Sequence, residues 1–334
     1  MQSIIKIGTR ESELAVWQAT LVKNLLNENG YASELVFIKS EGDLDLKTPL
    51  YEMGVQGIFT RSLDVALLNN KIDIAVHSMK DVPTQLPEGI AQAAVLKRGN
   101  YKDLFVFKSE SMVNGEELNQ QAFYNSLDKD SSALAIDHSP IEILPHSFIT
   151  IATSSVRRKA QWLHRYPQSN VENLRGNINT RLMKVKESNW QGAIFAAAGL
   201  ERINLRPQSA VELDWMLPAP AQGAIMVVGK SSDEYCLSAC LKLNDSDTAI
   251  CTRIERDFLR RLLGGCSTPI SALAQIKNNE IYFQGNILSL DGRQKVAVER
   301  KISLVNAENS GKIMAEELLN KGGNEIAESV RYAK

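Results

Sequence analysis

The chain has 334 residues, of which 44% are hydrophobic and 23% are charged, and its formal net charge is −1. This length predicts two or three domains, and the composition excludes a disordered chain and indicates a globular one with a packed core. A net charge this close to zero gives no sign of a nucleic-acid partner, so any basic site must come from local clustering.

The sequence predicts neither a targeting signal nor a membrane segment. The N-terminal residues MQSIIKIGTR lack the apolar stretch of a secretory signal. The longest uncharged run, residues 215–229, is too short to span a membrane and contains two prolines. The four cysteines form no CxxC pair, and no cysteine or histidine set has the spacing of metal ligands. We therefore expect a cytoplasmic protein without a bound metal.

Residues 1–100 alternate between predicted strands and helices. Strands are expected at residues 4–8, 34–38 and 72–76, where apolar and β-branched residues concentrate. An amphipathic helix with Ser12 as its N-cap follows the first strand, and a second helix is expected at residues 58–68. Residues 39–57 have the glycine content of a mobile lid loop. This β-α-β-α-β order predicts a doubly wound sheet.

A second unit of the same kind begins near Tyr101. Strands are predicted at residues 148–152, 171–174 and 192–197. Residues 153–155 open a helix that runs to about residue 165, and a loop at residues 175–180 precedes a helix at residues 181–187. Residues 108–145 are polar and weakly periodic, and we interpret them as a surface insertion that is partly helical at residues 116–127.

The last part of the chain has a different pattern. A helix is predicted at residues 247–263, followed by strands at residues 271–276, 281–290 and 295–303 and by two helices. The dipeptide Asp291-Gly292 between the last two strands is a strong hairpin signal. These elements predict a small α+β domain, with Cys266 at the junction of its first helix and first strand.

The densest chemical signal is a run of basic residues. It contains Arg157, Arg158, Lys159, Arg165, Arg175, Arg181, Lys184 and Lys186. A solvated helix face is the simplest interpretation, but the first two arginines lie in the first turn of a helix, where the macrodipole disfavours cations. Helix N-termini at the carboxyl ends of strands are anion sites, and Arg10 and Ser12 repeat this arrangement in the first unit. We therefore expect a ligand with several carboxylates or phosphates, which the planar guanidinium can hold in paired hydrogen bonds.

Two further motifs admit a structural or a functional interpretation. HSMKDVP, residues 77–83, is either a polar loop ended by proline or a site in which Lys80 contacts an anion and Asp81 faces a cation or an acidic N–H. GGCSTP, residues 264–269, holds a cysteine that is structural or, because two glycines leave its sulfur uncrowded, an exposed attachment point. A nucleophile pair of Cys266 with His77, as in a cysteine hydrolase, is a weaker alternative. The residues alone indicate a two-lobed α/β protein that binds a polyanion.

Taken together, the motifs resemble those of the porphobilinogen deaminase (hydroxymethylbilane synthase) family along nearly the whole chain. The order and spacing of seven strings make the resemblance specific. They are GTRESELAVWQA (8–19), DIAVHSMKDVP (73–83), TSSVRR (153–158), LRGNINTR (174–181), AAAGLERI (196–203), LPAPAQGA (217–224) and LLGGCSTPI (262–270).

This resemblance implies three domains. Two lobes are expected to be similar to type II periplasmic binding proteins, one formed by residues 1–99 and 224–242 and the other by residues 100–217. The chain would cross between them twice, with residues 222–224 leading the return. Residues 245–334 would form the α+β domain and hold Cys266 in a loop that points into the cleft.

The resemblance also implies the chemistry. The family condenses four porphobilinogens head to tail with loss of four ammonia molecules, on a covalent dipyrromethane primer, and water then frees hydroxymethylbilane. One dipyrromethane per chain would be joined by a thioether to Cys266. Asp81 matches the catalytic aspartate, which contacts pyrrole N–H groups and stabilises the cationic electrophile left when ammonia departs.

Because each pyrrole carries an acetate and a propionate, the resemblance implies a set of groups that bind carboxylates of the cofactor and substrate. They are Arg10, Ser12, Lys80, Thr153, Ser154, Ser155, Arg157, Arg158, Arg175, Gly176, Asn177, Arg181 and Gln222. Asp43, Phe59 and Arg202 are expected as lid or substrate contacts. The expected partners are porphobilinogen and the next enzyme of the pathway, to which the product is handed on; we expect a monomer with no nucleic-acid or membrane partner.

The sequence departs from the family pattern at several positions. Gln56 stands where a lysine is usual, Glu41 replaces a loop arginine, and Asn179 and Ala221 replace glycines. The segment 108–145 is also longer than the family implies. These changes bear on the lid and the cleft. The alternative function on the same architecture is a two-lobed polyanion-binding protein or sensor without catalysis, against which the attached cysteine domain argues.

Overall fold

The computed structural model describes residues 4–39, 60–108, 149–262 and 268–332. Several sequence-based expectations lie outside these ranges, namely the lid loop from residue 40, the insertion from residue 109 with its helix at 116–127, and Cys266 with its two glycines. None of the helices in the described ranges is long and apolar enough to cross a membrane. In the same ranges, no group of three or more histidine, cysteine or acidic side chains is placed to hold a metal ion.

The described residues form two five-stranded sheets and one three-stranded sheet with helices packed against them. The strands are β1 (Ile5–Thr9), β2 (Ser33–Phe37), β3 (Ile74–Ser78), β4 (Ile90–Val95), β5 (Asp103–Phe107), β6 (Thr150–Ala152), β7 (Asn170–Glu172), β8 (Gly192–Ala196), β9 (Val211–Glu212), β10 (Ile225–Lys230), β11 (Ile270–Lys277), β12 (Glu280–Leu288) and β13 (Lys295–Ser303). The α-helices are α1 (Glu13–Glu28), α2 (Arg61–Leu68), α3 (Val156–Arg165), α4 (Ile178–Glu187), α5 (Ala197–Arg202), α6 (Glu234–Leu241), α7 (Ser246–Arg261), α8 (Ser310–Leu318) and α9 (Asn324–Tyr332).

The first lobe is built on the sheet β2-β1-β3-β10-β4, in which β10 alone runs antiparallel to its neighbours. Successive side chains of a strand point to opposite faces, so Ile74 and Val76 pack with α1 and α6 while Ala75 packs with α2. Both faces of the sheet are therefore covered. Such burial explains why its inner strands β3 and β10 begin with the continuous apolar runs IAV and IMVV rather than with an alternating pattern.

The second lobe repeats the arrangement in the sheet β7-β6-β8-β5-β9, where β5 is the antiparallel strand. Its core on one face is aromatic: Phe105 stacks on Trp162 of α3 with ring centroids 5.4 Å apart. The other face buries Leu104 and Val106. The fold class expected from the sequence, two α/β lobes with a smaller α+β domain, is confirmed.

Two chain segments cross between the lobes side by side. The first leaves β4 and enters β5, and the second leads from β9 of the second lobe into β10 of the first. Gly99 N donates a hydrogen bond to Gly223 O at 3.0 Å. Gly223 has φ +86°, and a Cβ there would lie 2.8 Å from Gly99 O. The close approach of the two backbones therefore requires glycine at residue 223.

The third domain packs α7, α8 and α9 on the antiparallel sheet β11-β12-β13. Phe258 of α7 and Phe283 of β12 meet edge to face, with ring centroids 5.1 Å apart. Its first helix reaches into the rest of the molecule through Glu255, whose side chain is fully buried. Glu255 binds Arg98 of the first crossing segment at 2.6 Å and accepts hydrogen bonds from Ala221 N and Ala274 N.

The structure corrects several expected elements. Residues 178–180 belong to helix α4 rather than to a loop, because Asn177 caps it by accepting a hydrogen bond from Thr180 N at 2.9 Å. Residue 197 begins helix α5 and does not continue the strand. The elements β4, β5, β9, β10 and α6 were not predicted. Ser12 is the N-cap of α1 as expected, although its side chain accepts no hydrogen bond from the helix. Ser155, the last of the residues expected to open α3, is the N-cap of that helix and accepts a hydrogen bond from Arg158 N.

Candidate active site

A cavity of about 760 Å³ lies between the two lobes and reaches the third domain. The carboxyl ends of β1, β3, β6 and β7 and the helices or turns that follow them supply most of its wall. This is the edge at which open α/β sheets place their ligands. Thr268 and Ile270 of the third domain also line it, only a few residues from Cys266.

Every predicted site residue that the structure describes lines this one cavity. These residues are Arg10, Ser12, Lys80, Asp81, Thr153, Ser154, Ser155, Arg157, Arg158, Arg175, Gly176, Asn177, Arg181, Arg202 and Gln222. Asp43, Phe59 and Cys266 lie outside the described residues. The basic run is therefore divided: four of its arginines line the cavity, whereas Lys159 and Lys186 are exposed on the surface.

Arg157 and Arg158 are not a solvated helix face. Both are buried, and Asp103 lies between them: Arg157 Nη2 is 2.7 Å from Asp103 Oδ2, and Arg158 Nη2 is 2.8 Å from Asp103 Oδ1. Burial opposes ionisation of Asp103, but the two guanidiniums outweigh it and lower the pKa of this carboxyl to about 2. Sequence reasoning missed Asp103, which lies more than fifty residues earlier in the chain.

The pairing with Asp103 uses part of each guanidinium. Arg157 Nη1 also donates to Leu217 O at 2.6 Å, and Arg158 Nη1 donates to Ile194 O at 2.9 Å. Arg157 Nε is buried and has no hydrogen-bond partner among the described residues. The bonds to Asp103, Leu217 and Ile194 therefore hold both guanidiniums in fixed orientations at the wall of the cavity.

Gln222 links Lys80 of the first lobe to the Asp103 carboxylate of the second. Lys80 Nζ donates to Gln222 Oε1 at 3.3 Å, and Gln222 Nε2 donates to Asp103 Oδ1 at 2.8 Å. Burial lowers the pKa of the Lys80 ammonium to about 8, although the neighbouring Asp81 carboxylate opposes this shift. Lys80 is therefore a cation at neutral pH whose charge is lost under mildly alkaline conditions.

Asp81 ends a single 3-10 turn, Met79–Asp81, directly after β3. Met79 N donates to Ala224 O at 3.0 Å and Val82 N donates to Met79 O at 3.2 Å, so both ends of the turn are tied. Met79 and Val82 are buried, whereas Asp81 is half-buried and lines the cavity. The turn presents the carboxylate while its flanking residues anchor it in the core.

Arg181 approaches from the second lobe. Its Nε donates to Gly176 O at 2.7 Å, which ties the first turn of α4 to the loop before it. Burial and then the neighbouring Arg158 lower the pKa of Arg181, while the Asp81 carboxylate raises it. Asp81 thus acts electrostatically on Lys80 of its own lobe and on Arg181 of the other, which makes the middle of the cavity a cluster of opposite charges.

The two lobes also meet at the mouth of the cavity. Asn179 Nδ2 donates to Glu13 Oε2 at 2.8 Å, and the Arg202 guanidinium lies 5.7 Å from the ring centroid of Trp17. Arg202 Nη2 further donates to Gly223 O at 2.6 Å. Arg202, expected as a lid or substrate contact, thus donates a hydrogen bond to the return crossing segment and lies against the ring of Trp17 in α1.

Burial moves the pKa values of His77 and of the three described cysteines away from neutral pH. Burial, reinforced by Arg10, lowers the pKa of His77 to about 4, so its imidazole is neutral at neutral pH. Burial raises the pKa of the Cys240 and Cys251 thiols to about 12 and that of Cys236 as well. These three cysteines are free, buried thiols and thus poor nucleophiles.

Fold and site together define a class of protein: two α/β lobes that enclose an arginine-lined cavity, with a third domain joined at the crossing segments. Residues 5–238 match the family model described as porphobilinogen deaminase, dipyromethane cofactor binding domain, and residues 249–320 match porphobilinogen deaminase, C-terminal domain. A curated porphobilinogen deaminase from Pelobacter propionicus is 37% identical over 330 residues, covering 98% of this chain and 97% of that protein. The chain belongs to the porphobilinogen deaminase family.

Similar solved structures include the methionine-binding protein MetQ and the VFT2 domain of Bordetella pertussis BvgS. MetQ is 11% identical with a TM-score of 0.40, over 73% of this chain and 91% of that one. The BvgS domain is 12% identical with a TM-score of 0.39, over 72% of this chain and 86% of that one.

Membership of the family establishes the activity. The chain is a transferase of porphyrin and heme biosynthesis, its substrate is porphobilinogen, its product is hydroxymethylbilane, and its cofactor is a dipyrromethane. The alternatives of a non-catalytic sensor and of a cysteine hydrolase are therefore wrong as functions of this chain.

Proposed function

We propose that Asp81 is the catalytic carboxylate of this activity, that Cys266 carries the dipyrromethane, and that the cationic cavity holds the carboxylates of the growing pyrrole chain. The observation that carries the proposal is that Asp81 lines the cavity and interacts electrostatically with two cations, Lys80 of its own turn and Arg181 of the other lobe. A carboxylate fixed among ligand-binding cations can balance positive charge that develops on the substrate beside it.

The described residues fit a dipyrromethane. Its acetate and propionate arms need cationic and N–H donors, and the wall of the cavity offers the guanidinium groups of Arg157, Arg158 and Arg181 together with the N-termini of α3 and α4. When bound, the dipyrromethane supplies the terminal pyrrole carbon to which each new unit is joined. Thr268, which lines the cavity, brings the third domain to the wall within two residues of Cys266.

The residues that line the cavity would have different roles according to their positions in it. The arginines at the starts of α3 and α4 would hold carboxylates of the chain, together with the hydroxyls of Thr153, Ser154 and Ser155 and with Arg10 and Ser12. Lys80 would bind an arm of the incoming porphobilinogen. Asp81 would accept its pyrrole N–H, stabilise the cation formed when the C–N bond breaks and ammonia leaves, and orient the ring for attack.

We also propose the domain boundaries of the chain, its oligomeric state and its partners. Residues 1–99 with 224–242, residues 100–217 and residues 245–334 would be its three domains. The active form would be a cytoplasmic monomer without nucleic-acid or membrane partners that hands its product to the next enzyme of the pathway. Asp43 and Phe59 would be lid or substrate contacts.

Replacement of Asp81 in holoprotein that already carries its primer tests the central role. Asp81→Asn keeps the shape but cannot balance a cation, so ammonia release and covalent mass steps should nearly stop. Asp81→Glu keeps the charge but displaces it by one methylene, and it should extend slowly with partial chains accumulating. If Asp81→Asn extends the chain as fast as the unaltered protein, Asp81 is a structural residue of the turn.

A further inference from the structure

Arg256 of the third domain holds the backbone of the turn that carries Asp81. Its Nη1 donates to Val82 O at 2.9 Å and to Met79 O at 3.4 Å, and its Nη2 donates to Pro83 O at 2.6 Å. The three acceptors lie on both sides of Asp81 in the chain. The guanidinium thus spans the turn, which a single-point donor does not achieve.

The position of Arg256 is itself fixed. The preceding residue, Glu255, is fully buried and accepts hydrogen bonds from Ala221 N at 2.6 Å and from Ala274 N at 2.7 Å. Helix α7 therefore has little freedom to rotate or slide beneath Arg256. Rigid support of this kind is what keeps a reacting group within a fraction of an ångström of its working position.

The same helix leads toward the cofactor segment. α7 ends at Arg261, and Cys266 follows five residues later. One helix of the third domain thus contacts the Asp81 turn through Arg256 and begins the segment that contains Cys266. The contact between Arg256 and the Asp81 turn does not follow from the family motifs, because Arg256 lies outside all seven matching strings.

We propose that Arg256 is a positioning residue for chain extension: it sets the distance of Asp81 from the reacting atoms by clamping the carbonyls of its turn. This inference rests on the proposed role of Asp81. The bland alternative is that Arg256 only attaches the third domain to the first lobe, in which case its loss lowers stability without a specific effect on extension. Combining substitutions at Arg256 and Asp81 in one protein distinguishes the positioning role from the purely structural role.

The experiment compares Arg256→Gln with Arg253→Gln, an exposed arginine on the same helix, in holoprotein carrying its primer. Single-turnover mass steps with porphobilinogen give the extension rate, steady-state kinetics give KM and kcat, and hydrogen exchange reports residues 79–83. Arg256→Gln should slow extension by about 10- to 100-fold with a much smaller change in KM, because small misplacements of a reacting group have effects of this size. Exchange in the turn should accelerate, and Arg253→Gln should match the unaltered protein.

The decisive arm places Arg256→Gln on the Asp81→Glu background. If Arg256 acts through Asp81, its loss should cost much less there, because the carboxylate is already displaced. Arg256→Lys keeps the positive charge but loses the branched guanidinium, so it should fold and slow extension to a smaller extent. This variant replaces Arg256→Gln in the experiment if Arg256→Gln is unstable. An unchanged extension rate, or an equal fold-loss on both backgrounds, would overturn the inference. Rapid extension by Asp81→Asn would instead overturn the proposed role of Asp81.

Discussion

At the scale of single residues, Lys80 is a cation of the cavity whose pKa lies close to neutral pH. Its pKa is lowered to about 8, mainly by burial. The amine is protonated below that pH and neutral above it, so its attraction for a substrate carboxylate is present at neutral pH and disappears as pH rises through about 8.

We therefore expect kcat/KM for porphobilinogen, which reports the free enzyme, to fall above pH 8. Lys80→Arg should keep its charge and extend the plateau to higher pH, whereas Lys159→Arg, on the surface, should leave the profile as it is. A steady-state pH series on the three proteins measures this. If kcat/KM of Lys80→Arg falls above pH 8 as it does in the unaltered protein, a group other than Lys80 causes the fall.

The family resemblance implies that Cys266 bears the cofactor, and the other three thiols are buried and hard to ionise. The purified protein should be heavier than its sequence by one dipyrromethane and should colour with Ehrlich's reagent. Cys266→Ser should lose the mass and the activity together, while Cys240→Ala should retain both. Intact-mass spectrometry decides the matter, and a fully active protein of unmodified mass would refute covalent attachment.

At the scale of elements, the start of α4 meets the start of α1 across the mouth of the cavity. The contact depends on Asn179, where the family pattern has glycine, and a glycine side chain has no donor for Glu13. Asn179→Ala should therefore favour a more open arrangement of the lobes.

Because an exposed hydrogen bond to a charged group contributes about 0.5–1 kcal/mol, the KM of Asn179→Ala should rise by about two- to fivefold. Asn170→Ala is a matched control, since Asn170 donates to Glu172 within the second lobe at 3.1 Å and does not bridge the lobes. Steady-state kinetics measure both. Equal KM values for the two variants would show that the bridge does not influence closure.

The elements differ in how well the sequence predicted them. β13 was expected at residues 295–303 and is observed there, because a hairpin signal bounds it and alternation marks its two faces. β5 and β10 were missed because strands buried on both faces carry no alternation. The cleft residues were predicted from their motifs and from their positions at strand ends, whereas Asp103 and Arg256 act through contacts between distant parts of the chain, which no local pattern records.

At the scale of the whole molecule, the buried pair of Arg98 and Glu255 joins the third domain to the crossing segments. Removing one partner of such a pair leaves an uncompensated buried charge, with a typical cost of about 3–5 kcal/mol, whereas an exposed pair contributes about 0–1 kcal/mol. The attachment of the third domain should accordingly depend on Glu255.

Glu255→Gln should lower the temperature of thermal unfolding markedly, while Glu316→Gln, which breaks the exposed pair with Arg261, should hardly change it. Differential scanning calorimetry of the holoproteins is the measurement. Because several domains unfold, the third domain should separate as an earlier transition in Glu255→Gln. Similar curves for both variants would mean that other contacts hold the domain in place.

The order in which the strands are made has a consequence for synthesis on the ribosome. β10 lies between β3 and β4, yet it is translated after the whole second lobe. The N-terminal lobe therefore emerges first but cannot complete its sheet, and β3 keeps an unpaired edge until residues 225–230 arrive. The second lobe, whose strands all lie between residues 103 and 212, is the first to have a complete sheet. Nascent chains that stall within the second lobe thus expose an open strand edge, the feature most prone to pairing with another chain.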